Sequence, residues 1–238
     1  MKGVVLAGGL GTRLLPLTRV TNKHLLPIGN IPMIYHPINK MIQSGITDIM
    51  IVTGVEHCGA IMSLLGSGDQ FNCSFTYKVQ DKPDGIAGAL KLCRNFVGEG
   101  KFLVILGDNI FEDNILKQIL KFKKSDSECM LFFKEVENPQ RFGVAKFNNG
   151  KIIEVIEKPE VPPSSFACVG IYLYSSKVFE YLDRAKKSDR DEYEISNINS
   201  ELIKKDKVDF AILKGIWTDA GTFDSYEKTN KIFYKKLL

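Results

Sequence analysis

Short apolar runs alternate with helical patterns through the first half of the chain, and this alternation most constrains the fold. The runs are four segments of five to seven residues, at 2–7, 48–53, 74–80 and 102–106. Helical patterns separate them at 34–44, 57–65 and 85–97, and another follows Asn109 to about Lys123. Strands separated by helices in this way are typical of a parallel sheet that helices cover on both faces. The sequence therefore predicts an α/β fold with a mostly parallel central sheet.

The second half of the chain predicts a more mixed structure. Two runs, 143–147 and 151–156, flank Asn148-Asn149-Gly150 and predict a β-hairpin. The other predicted strands are 130–136, 166–174 and 208–213, and the predicted helices are 176–185, 195–204 (capped by Glu194 or Ser196) and 222–234. No linker is long enough to mark a domain boundary, so we expect residues 1–238 to form a single domain.

A glycine-rich loop, Gly8-Gly9-Leu10-Gly11-Thr12-Arg13, directly follows the first predicted strand. Its backbone N–H groups, a helix N-terminus just beyond it and the Arg13 cation would together suit a phosphate chain. A tight turn explains the same glycines equally well. Two better-known phosphate loops are excluded. No lysine follows Gly11 as in a Walker A loop, and Leu14 stands where the dinucleotide fingerprint needs a small residue.

Charge and cysteine content exclude several classes of partner. The formal net charge is only +4 and no basic block stands out, so neither nucleic acid nor a membrane surface is indicated. Met1 leads straight into a strand and no apolar stretch approaches about 18 residues, which argues against a signal peptide and a membrane span. The 5 cysteines are scattered without a CxxC pair, as expected of reduced thiols in the cytoplasm.

Two cations and two carboxylates stand where a phosphate chain and a metal ion could be bound. Lys23 lies in a loop close in sequence to Arg13, and two cations suit a triphosphate; an ordinary surface lysine is the alternative. Asp108 directly follows a predicted strand, and Asp219 lies between an apolar stretch and a helix. The two aspartates are either helix caps, in which case no metal is needed, or joint ligands of one Mg²⁺ against phosphate oxygens.

Other polar residues could bind a sugar phosphate and a nucleotide base. Glu157 and Lys158 precede Pro159, which ends the hairpin strand, so they can meet sugar hydroxyls and a phosphate; an exposed ion pair is the alternative. Gln80 and Gly85 flank a turn where amide and backbone groups can read a base edge. The chain shows no Ser–His–Asp or Cys–His constellation. A reaction here is therefore expected to depend on positioning and electrostatics.

Nine stretches, taken in order along the chain, form a recognisable set. They are GVVLAGGLGTRLLPLT, NKHLLPIGNIPMIYHPI, VQDKPDGIAGAL, LGDNIF, RFGVAKF, EKP, VGIYLY, DEYEISNIN and WTDAGT. The set resembles the sugar-1-phosphate nucleotidylyltransferases, and most closely the glucose-1-phosphate thymidylyltransferases among them. This resemblance implies a Rossmann-like fold of the nucleotide-diphospho-sugar transferase type with a small β-rich sugar-binding elaboration. It also implies that residues 1–125 mainly bind the nucleotide and residues 126–238 mainly the sugar phosphate.

The reaction that the resemblance implies is attack of glucose 1-phosphate on the α-phosphorus of dTTP, assisted by Mg²⁺, giving dTDP-glucose and pyrophosphate. It assigns catalysis to Arg13, Lys23, Asp108 and Lys158, and the metal to Asp108 and Asp219. It assigns the nucleotide to Leu6, Gly8, Gly9, Gly11, Thr12, Arg13, Gln80, Pro83, Gly85 and Asp108. It assigns the sugar phosphate to Asn109, Gly143, Glu157, Lys158, Val169, Tyr172 and Trp217. Because the nucleophile is already an anion, the site must supply in-line geometry and charge neutralisation, not a general base.

The sequence departs from the thymidylyltransferase pattern at three places. His24 and Gly88 stand where glutamine is common, and both lie toward the nucleotide end, so UTP or CTP is an alternative to dTTP. The chain ends at Leu238, whereas longer members continue into helices that build a tetramer and a regulatory nucleotide site, so a homo-oligomer is left open here. A non-catalytic relative is expected to lack Arg13, Lys23, Asp108 or Asp219, and all are present. The unmatched dinucleotide fingerprint disfavours a nicotinamide-dependent oxidoreductase.

Overall fold

The computed structural model describes residues 1–234, which have an α/β fold. The strands are β1 Lys2–Ala7, β2 Pro27–Ile28, β3 Ile31–Pro32, β4 Asp48–Gly54, β5 Ser74–Gln80, β6 Lys101–Leu106, β7 Asn109–Phe111, β8 Cys129–Glu135, β9 Gly143–Asn148, β10 Lys151–Glu157, β11 Phe166–Ser175, β12 Val208–Ile212 and β13 Trp217–Asp219. The helices are α1 Tyr35–Gln43, α2 Cys58–Leu65, α3 Ile86–Lys91, α4 Arg94–Val97, α5 Leu116–Lys124, α6 Val178–Arg184, α7 Ile195–Lys204 and α8 Phe223–Tyr234.

The chain folds into two compact units, each built from segments that are distant in sequence. One, here called the glycine-loop unit, consists of Lys2–Pro83, Ile105–Asn114 and residues 215–234. The other, here called the hairpin unit, consists chiefly of Asp84–Val104 and Ile115–Lys214. The division of nucleotide and sugar binding between residues 1–125 and 126–238 concerns function, and it stays a prediction.

In the glycine-loop unit, β1, β4 and β5 form a parallel array. β4 pairs in parallel with both β1 and β5, with Gly3 opposite Ile49 and Asp48 opposite Ser74. Val4 and Val5 point to opposite faces of β1, and both are fully buried. A strand buried on both faces has no polar side, which is why its sequence is continuously apolar. The predicted parallel sheet is confirmed for these strands.

Helix α8 closes the glycine-loop unit by packing on the β2–β3 hairpin. The Tyr226 hydroxyl donates to the Pro27 carbonyl oxygen at 2.9 Å, and Asn230 Oδ1 accepts from the Gly29 N–H at 3.0 Å. A small apolar cluster, which includes Met33 and Ala220, lies under the helix. The end of β13 is therefore held in place by packing as well as by strand pairing.

The hairpin unit has a mainly antiparallel arrangement. β9 pairs with β10 as the predicted hairpin, and Asn149 and Gly150 at its turn have φ angles of 47° and 74°. Such positive values suit the tight turns that join twisted antiparallel strands. β11 pairs antiparallel with β8, and β12 lies parallel to β8 on its other side. This is the mixed architecture expected of the second half.

Two helix predictions were wrong in detail. The segment 85–97 is interrupted, because the N–H groups of Leu92 and Cys93 bond carbonyls three residues back, so that α3 ends and α4 begins. The segment after Asn109 starts as strand β7, and α5 begins only at Leu116. β7 exists because it pairs with β13, a partner distant in sequence that local periodicity does not reveal.

Within residues 1–234, no helix has the length and apolar character that crossing a membrane requires.

Candidate active site

The glycine-rich loop leaves β1 and turns sharply at Gly11. Gly11 has a φ of +68°, and its carbonyl accepts from the Leu14 N–H at 2.9 Å and the Thr18 hydroxyl at 2.8 Å. A Cβ at Gly11 would lie 2.9 Å from Thr18 Cγ2, so both the backbone conformation and the space require glycine. The loop is a compact turn whose side-chain-free backbone remains accessible at Gly9.

The prediction that a helix begins just beyond the loop is wrong. Only a three-residue 3-10 turn, Thr12–Leu14, follows, with further 3-10 turns at Leu17–Arg19 and Lys23–Leu25. So short a turn aligns too few peptide dipoles to act as the N-terminus of a helix. The positive charge near the loop must therefore come from the Arg13 and Lys23 side chains.

Lys23 is buried and forms an ion pair with Asp108. Its Nζ donates to Asp108 Oδ2, and both side chains are only about a tenth exposed. Lys23 Nζ also lies 3.7 Å from the position that a Cβ on Gly9 would take, so the lysine packs beneath the glycine-rich loop. The alternative of an ordinary surface lysine is excluded by this burial.

The surroundings of Asp108 favour its charged form. Burial opposes ionisation, but Lys23 and the Asn109 amide more than offset it, so the pKa of Asp108 lies well below its usual range. Asp108 precedes strand β7, so it does not cap a helix. At α8, the Thr222 hydroxyl accepts from the Ser225 N–H and Ser225 Oγ accepts from the Thr222 N–H, so Asp219 is not needed as a cap.

Three charged groups converge beside the backbone of Gly221. A Cβ at Gly221 would lie 3.1 Å from Asp108 Oδ2, 3.5 Å from Arg13 Nη2 and 3.8 Å from Asp219 Oδ2. The absence of a side chain at Gly221 leaves room between these groups. Two carboxylates with open space beside them fit a Mg²⁺ ion that takes its other ligands from phosphate and water. No cluster of three or more His, Cys, Asp or Glu suited to a metal occurs in the described residues.

Strand pairing brings the two carboxylates together. In the β7–β13 pair, Asp219 lies opposite Asn109, and the Ala220 N–H donates to the Asp108 carbonyl at 2.9 Å. Trp217 Nε1 donates to Asn109 Oδ1 at 2.8 Å, and Asn109 Nδ2 donates to Asp108 Oδ1 at 3.0 Å. Asn109 and Trp217 were predicted as sugar-phosphate ligands. Their side chains are linked to Asp108 in this unit, and the sugar role stays a prediction.

His24 lies beneath the loop. Its ring Nδ1 is 2.7 Å from Asn22 Oδ1, and a Cβ on Gly107 would lie 2.6 Å from the ring. Burial, with a smaller effect of the Lys23 cation, lowers the pKa of His24 to about 3. His24 is therefore a neutral, packed side chain that supports the turn carrying Lys23.

This environment predicts a pH-dependent stability. Unfolded His24 takes up a proton near its ordinary pKa of 6.5, whereas folded His24 stays neutral to about pH 3, so stability is lost as pH falls below 6.5. We expect the free energy of unfolding to fall by about 2–3 kcal/mol between pH 7 and pH 4.5 through this residue. Asp108 does not contribute in that window, because its stabilisation is lost only below its ordinary pKa of 3.8.

Denaturant unfolding of wild type and His24→Gln at several pH values measures this effect. Between pH 7 and pH 4.5, the free energy of unfolding should fall by about 2–3 kcal/mol less in the variant than in wild type, whatever the stability of the variant at pH 7. The same pH dependence of the free energy of unfolding in both proteins would show that His24 is not held neutral by burial.

Gln80 lies against the glycine-rich loop within the same unit. Its side chain is buried, and a Cβ on Gly8 would lie 2.8 Å from Gln80 Oε1. β1 ends at Ala7, directly before Gly8, and β5 ends at Gln80, and the two strands flank β4 in the parallel array. Gly8 and Gln80 therefore lie close together at the carboxyl ends of their strands. Leu6 is buried just before the loop, and Pro83 is exposed.

The turn before α3 lies in the hairpin unit and explains one departure from the family pattern. Gly85 has a φ of +94°, and a Cβ there would lie 2.7 Å from the Tyr193 carbonyl oxygen. At Gly88, a Cβ would lie 2.1 Å from Asp84 Oδ1. The Asp84 carboxylate therefore occupies the space that a glutamine at position 88 would need.

The hairpin unit also holds most of the predicted sugar-phosphate residues. Glu157 Oε1 lies 3.8 Å from Lys158 Nζ and 3.2 Å from Arg190 Nη2, and Glu157 Oε2 would contact a Cβ on Gly143 at 3.4 Å. Arg190 also donates to Glu194 Oε1 at 2.7 Å. Sequence reasoning missed Arg190, although it immediately precedes the DEYEISNIN stretch. The hairpin unit therefore offers two cations beside one carboxylate.

The predicted site residues divide between the two units. The glycine-loop unit contains Leu6, Gly8, Gly9, Gly11, Thr12, Arg13, Lys23, Gln80, Pro83, Asp108, Asn109, Trp217 and Asp219. The hairpin unit contains Gly85, Gly143, Glu157, Lys158, Val169 and Tyr172, of which Val169 and Tyr172 are buried on β11. Arg13, Lys23, Asp108 and Asp219 come together within the glycine-loop unit, and their binding roles stay predictions.

Comparison with known proteins gives a consistent result. The nucleotidyl transferase family model matches residues 2–236. Glucose-1-phosphate thymidylyltransferases from Neisseria meningitidis and Xanthomonas campestris are 40% and 39% identical, covering 94% and 97% of this chain and 80% of each relative.

Solved structures of similar fold include a protein described by the same activity. A Bacillus anthracis crystal structure with sucrose, described as a candidate glucose-1-phosphate thymidylyltransferase, matches with a TM-score of 0.95 and 52% identity over 98% of this chain and 95% of that one. A UDP-glucose pyrophosphorylase complexed with UDP-glucose matches with a TM-score of 0.87 and 26% identity over 99% of this chain and 98% of that one.

Proposed function

Because this chain belongs to the nucleotidyl transferase family, with glucose-1-phosphate thymidylyltransferases among its relatives, we propose that it transfers the thymidylyl group of dTTP to glucose 1-phosphate. A phosphate oxygen of the sugar attacks the α-phosphorus of dTTP. The bond from that phosphorus to the bridging oxygen breaks, and pyrophosphate leaves as dTDP-glucose forms. The observation that supports this most directly is the convergence of Arg13, Asp108 and Asp219 at Gly221, with Lys23 on Asp108.

The roles of the donor-side residues follow from their chemistry. The Arg13 guanidinium can fork onto two phosphate oxygens, and the N–H groups of the loop can bind further ones. Lys23, held by Asp108, supplies a second cation close to the same phosphates. Together these groups would neutralise charge that otherwise repels the incoming sugar phosphate.

Asp108 and Asp219 would hold a divalent cation, which we propose to be Mg²⁺. When bound, it would neutralise and orient phosphate oxygens of the nucleotide. Hard oxygen ligands and the small number of protein carboxylates both suit Mg²⁺, which keeps substrate oxygens and water as its remaining ligands. The low pKa of Asp108 keeps that ligand ionised throughout the physiological range.

The acceptor side is proposed to use Lys158 for the sugar phosphate and Glu157 for sugar hydroxyls. No group has to act as a general base, because the attacking phosphate is already an anion. Gln80 and Gly85 are proposed to read the thymine. A cytoplasmic location is part of the proposal, and the 5 cysteines, all free thiols, fit a reducing compartment.

A matrix of nucleotides and sugar phosphates tests the proposal. Pyrophosphate release is measured with dTTP, UTP or CTP against glucose 1-phosphate and galactose 1-phosphate, each with Mg²⁺. We expect kcat/KM to be highest for dTTP with glucose 1-phosphate, by about tenfold or more over UTP, since one methyl group in a fitted pocket contributes that much. Preference for CTP would overturn the base assignment, and no turnover with any pair would overturn the enzyme assignment.

UTP is the second candidate donor. The observation favouring it is the structural match to a UDP-glucose pyrophosphorylase, together with His24 and Gly88 where thymidylyltransferases commonly have glutamine. Comparable kcat/KM for UTP and dTTP in the same matrix would support this alternative.

A further inference from the structure

A chain of hydrogen bonds connects Trp217 to the Asp108 carboxylate. The Trp217 Nε1–H donates to Asn109 Oδ1 at 2.8 Å, and Asn109 Nδ2 donates to Asp108 Oδ1 at 3.0 Å. The other carboxylate oxygen, Oδ2, accepts from Lys23. Both oxygens of Asp108 are therefore held, each by a different donor.

The chemistry of the donors fixes the direction of this chain. An indole N–H can only donate, so it must meet the amide oxygen of Asn109. The amide nitrogen is then turned toward Asp108, where it can donate to a carboxylate oxygen. The reverse orientation would place the amide oxygen against the carboxylate, which is unfavourable, and would also leave the indole N–H facing an amide NH₂ group. Trp217 thus reinforces the orientation in which Asn109 donates to Asp108.

The orientation of the carboxylate matters because Oδ2 points to the shared space at Gly221. Oδ2 lies 3.1 Å from a Cβ position on Gly221, which in turn is 3.8 Å from Asp219 Oδ2. The hydrogen bond from Asn109 Nδ2 to Asp108 Oδ1 opposes rotation of the carboxylate about its Cβ–Cγ bond. Asp108 and Asn109 are both buried, so water does not readily replace a lost donor.

We propose that Trp217 is a positioning residue for the metal site, acting through Asn109 on the Asp108 carboxylate. This deepens the proposed function, because a divalent cation at Asp108 and Asp219 is part of it. Residues that orient metal ligands in this way typically change metal affinity or activity by about 10–100-fold when removed. We therefore expect Trp217→Phe, which keeps an aromatic ring but removes the donor, to weaken binding of Mn²⁺ by about tenfold.

The experiment is a titration of Mn²⁺ in the absence of substrates, followed by electron paramagnetic resonance of the free ion. Wild type, Trp217→Phe, Asn109→Ala and the double variant are compared. If the indole acts through Asn109, Trp217→Phe should add less than about twofold to the effect of Asn109→Ala. Tyr226→Phe is the matched control, because it also removes one donor from an aromatic ring of the same unit, and it should bind Mn²⁺ like wild type.

A second measurement uses the fact that Trp217 is the only tryptophan in the chain. Its indole N–H gives a single nitrogen–proton resonance, which should move on addition of Mg²⁺ to wild type and already be displaced in Asn109→Ala. Thermal unfolding of each variant separates a change in the site from loss of the fold. Steady-state kinetics then compare KM for glucose 1-phosphate with kcat.

The outcomes are distinct. Weaker Mn²⁺ binding by Trp217→Phe, non-additive with Asn109→Ala, supports the proposal. Four results would overturn it. Trp217→Phe could bind Mn²⁺ as tightly as wild type, or the effects of the two substitutions could be independent. Trp217→Phe could raise only the KM for glucose 1-phosphate, or wild type could fail to bind Mn²⁺. Absence of pyrophosphate release by wild type would instead overturn the proposed function, and the Mn²⁺ titration would still decide the role of Trp217.

Discussion

Replacing Asp108 by asparagine is expected to lower kcat by about a thousandfold. The amide keeps the shape of the side chain but removes the negative charge that would hold a divalent cation, and charge stabilisation by such an ion contributes several kcal/mol to a phosphoryl transfer. The same change leaves the buried Lys23 without its counter-charge. We therefore also expect the free energy of unfolding to fall by about 1–3 kcal/mol, less than for a fully buried pair because both side chains retain some exposure.

The measurement is pyrophosphate release at a temperature where both proteins are folded, with stability from denaturant unfolding. Asp209→Asn is the matched control, since Asp209 is also an aspartate paired with a lysine, Lys121 at 2.9 Å, in the hairpin unit, where the lysine is exposed and the aspartate partly exposed. That variant should keep kcat within about twofold and lose at most about 1 kcal/mol. Near-normal turnover by Asp108→Asn would show that the metal is held elsewhere.

Adding a single methyl group at Gly221 is expected to lower kcat by about 10–100-fold while leaving the protein folded. The new Cβ would lie within 4 Å of Asp108 Oδ2, Arg13 Nη2 and Asp219 Oδ2, in the space left between them. The contact of 3.1 Å with Asp108 Oδ2 is tight, so the carboxylate must shift by a few tenths of an ångström. Misplacement of a reacting or binding group on this scale is costly to catalysis.

Gly221→Ala is best measured against Gly59→Ala. Gly59 lies in helix α2 with open space around its Cβ position, so alanine there should stabilise the protein by up to about 1 kcal/mol and leave kcat unchanged. Mn²⁺ titration should show weaker binding by Gly221→Ala than by Gly59→Ala. Equal activities of the two variants would mean that the space at Gly221 is not used by metal or phosphate.

Much of the fold follows from local patterns in the sequence. Strands β1, β4 and β6 are predicted nearly to the residue, because the interior of a strand buried on both faces must be apolar at every position. β5 is also predicted nearly to the residue, although it has several exposed positions. The β9–β10 hairpin is predicted because Asn149 and Gly150 tolerate the positive φ angles of its turn. The glycine-rich loop is visible for a similar reason, since Gly11 adopts a conformation that other residues rarely take.

The errors occurred where distant segments decide local structure. Strand β7 forms by pairing with β13, and the loop after β1 forms 3-10 turns in which Lys23 is held by Asp108. Arg190 was overlooked because its partners, Glu157 and Glu194, are brought to it by the fold of the hairpin unit. The support that His24 gives the loop, by packing against Asn22 and Gly107, was likewise not visible in the sequence, and its place toward the nucleotide end stays a prediction.

The sequence by itself determined the fold class, the glycine-rich loop and the identity of the charged residues, because periodicity and backbone preference are properties of neighbouring residues. It left open whether Asp108 and Asp219 are caps or metal ligands. Only the tertiary structure shows that Asp108 precedes a strand and that both carboxylates lie beside Gly221, because β7 pairs with β13; metal binding by the two aspartates is our proposal. The link from Trp217 to Asp108 depends on the same pairing, because its two strands are separated by about a hundred residues and no local pattern records their contact.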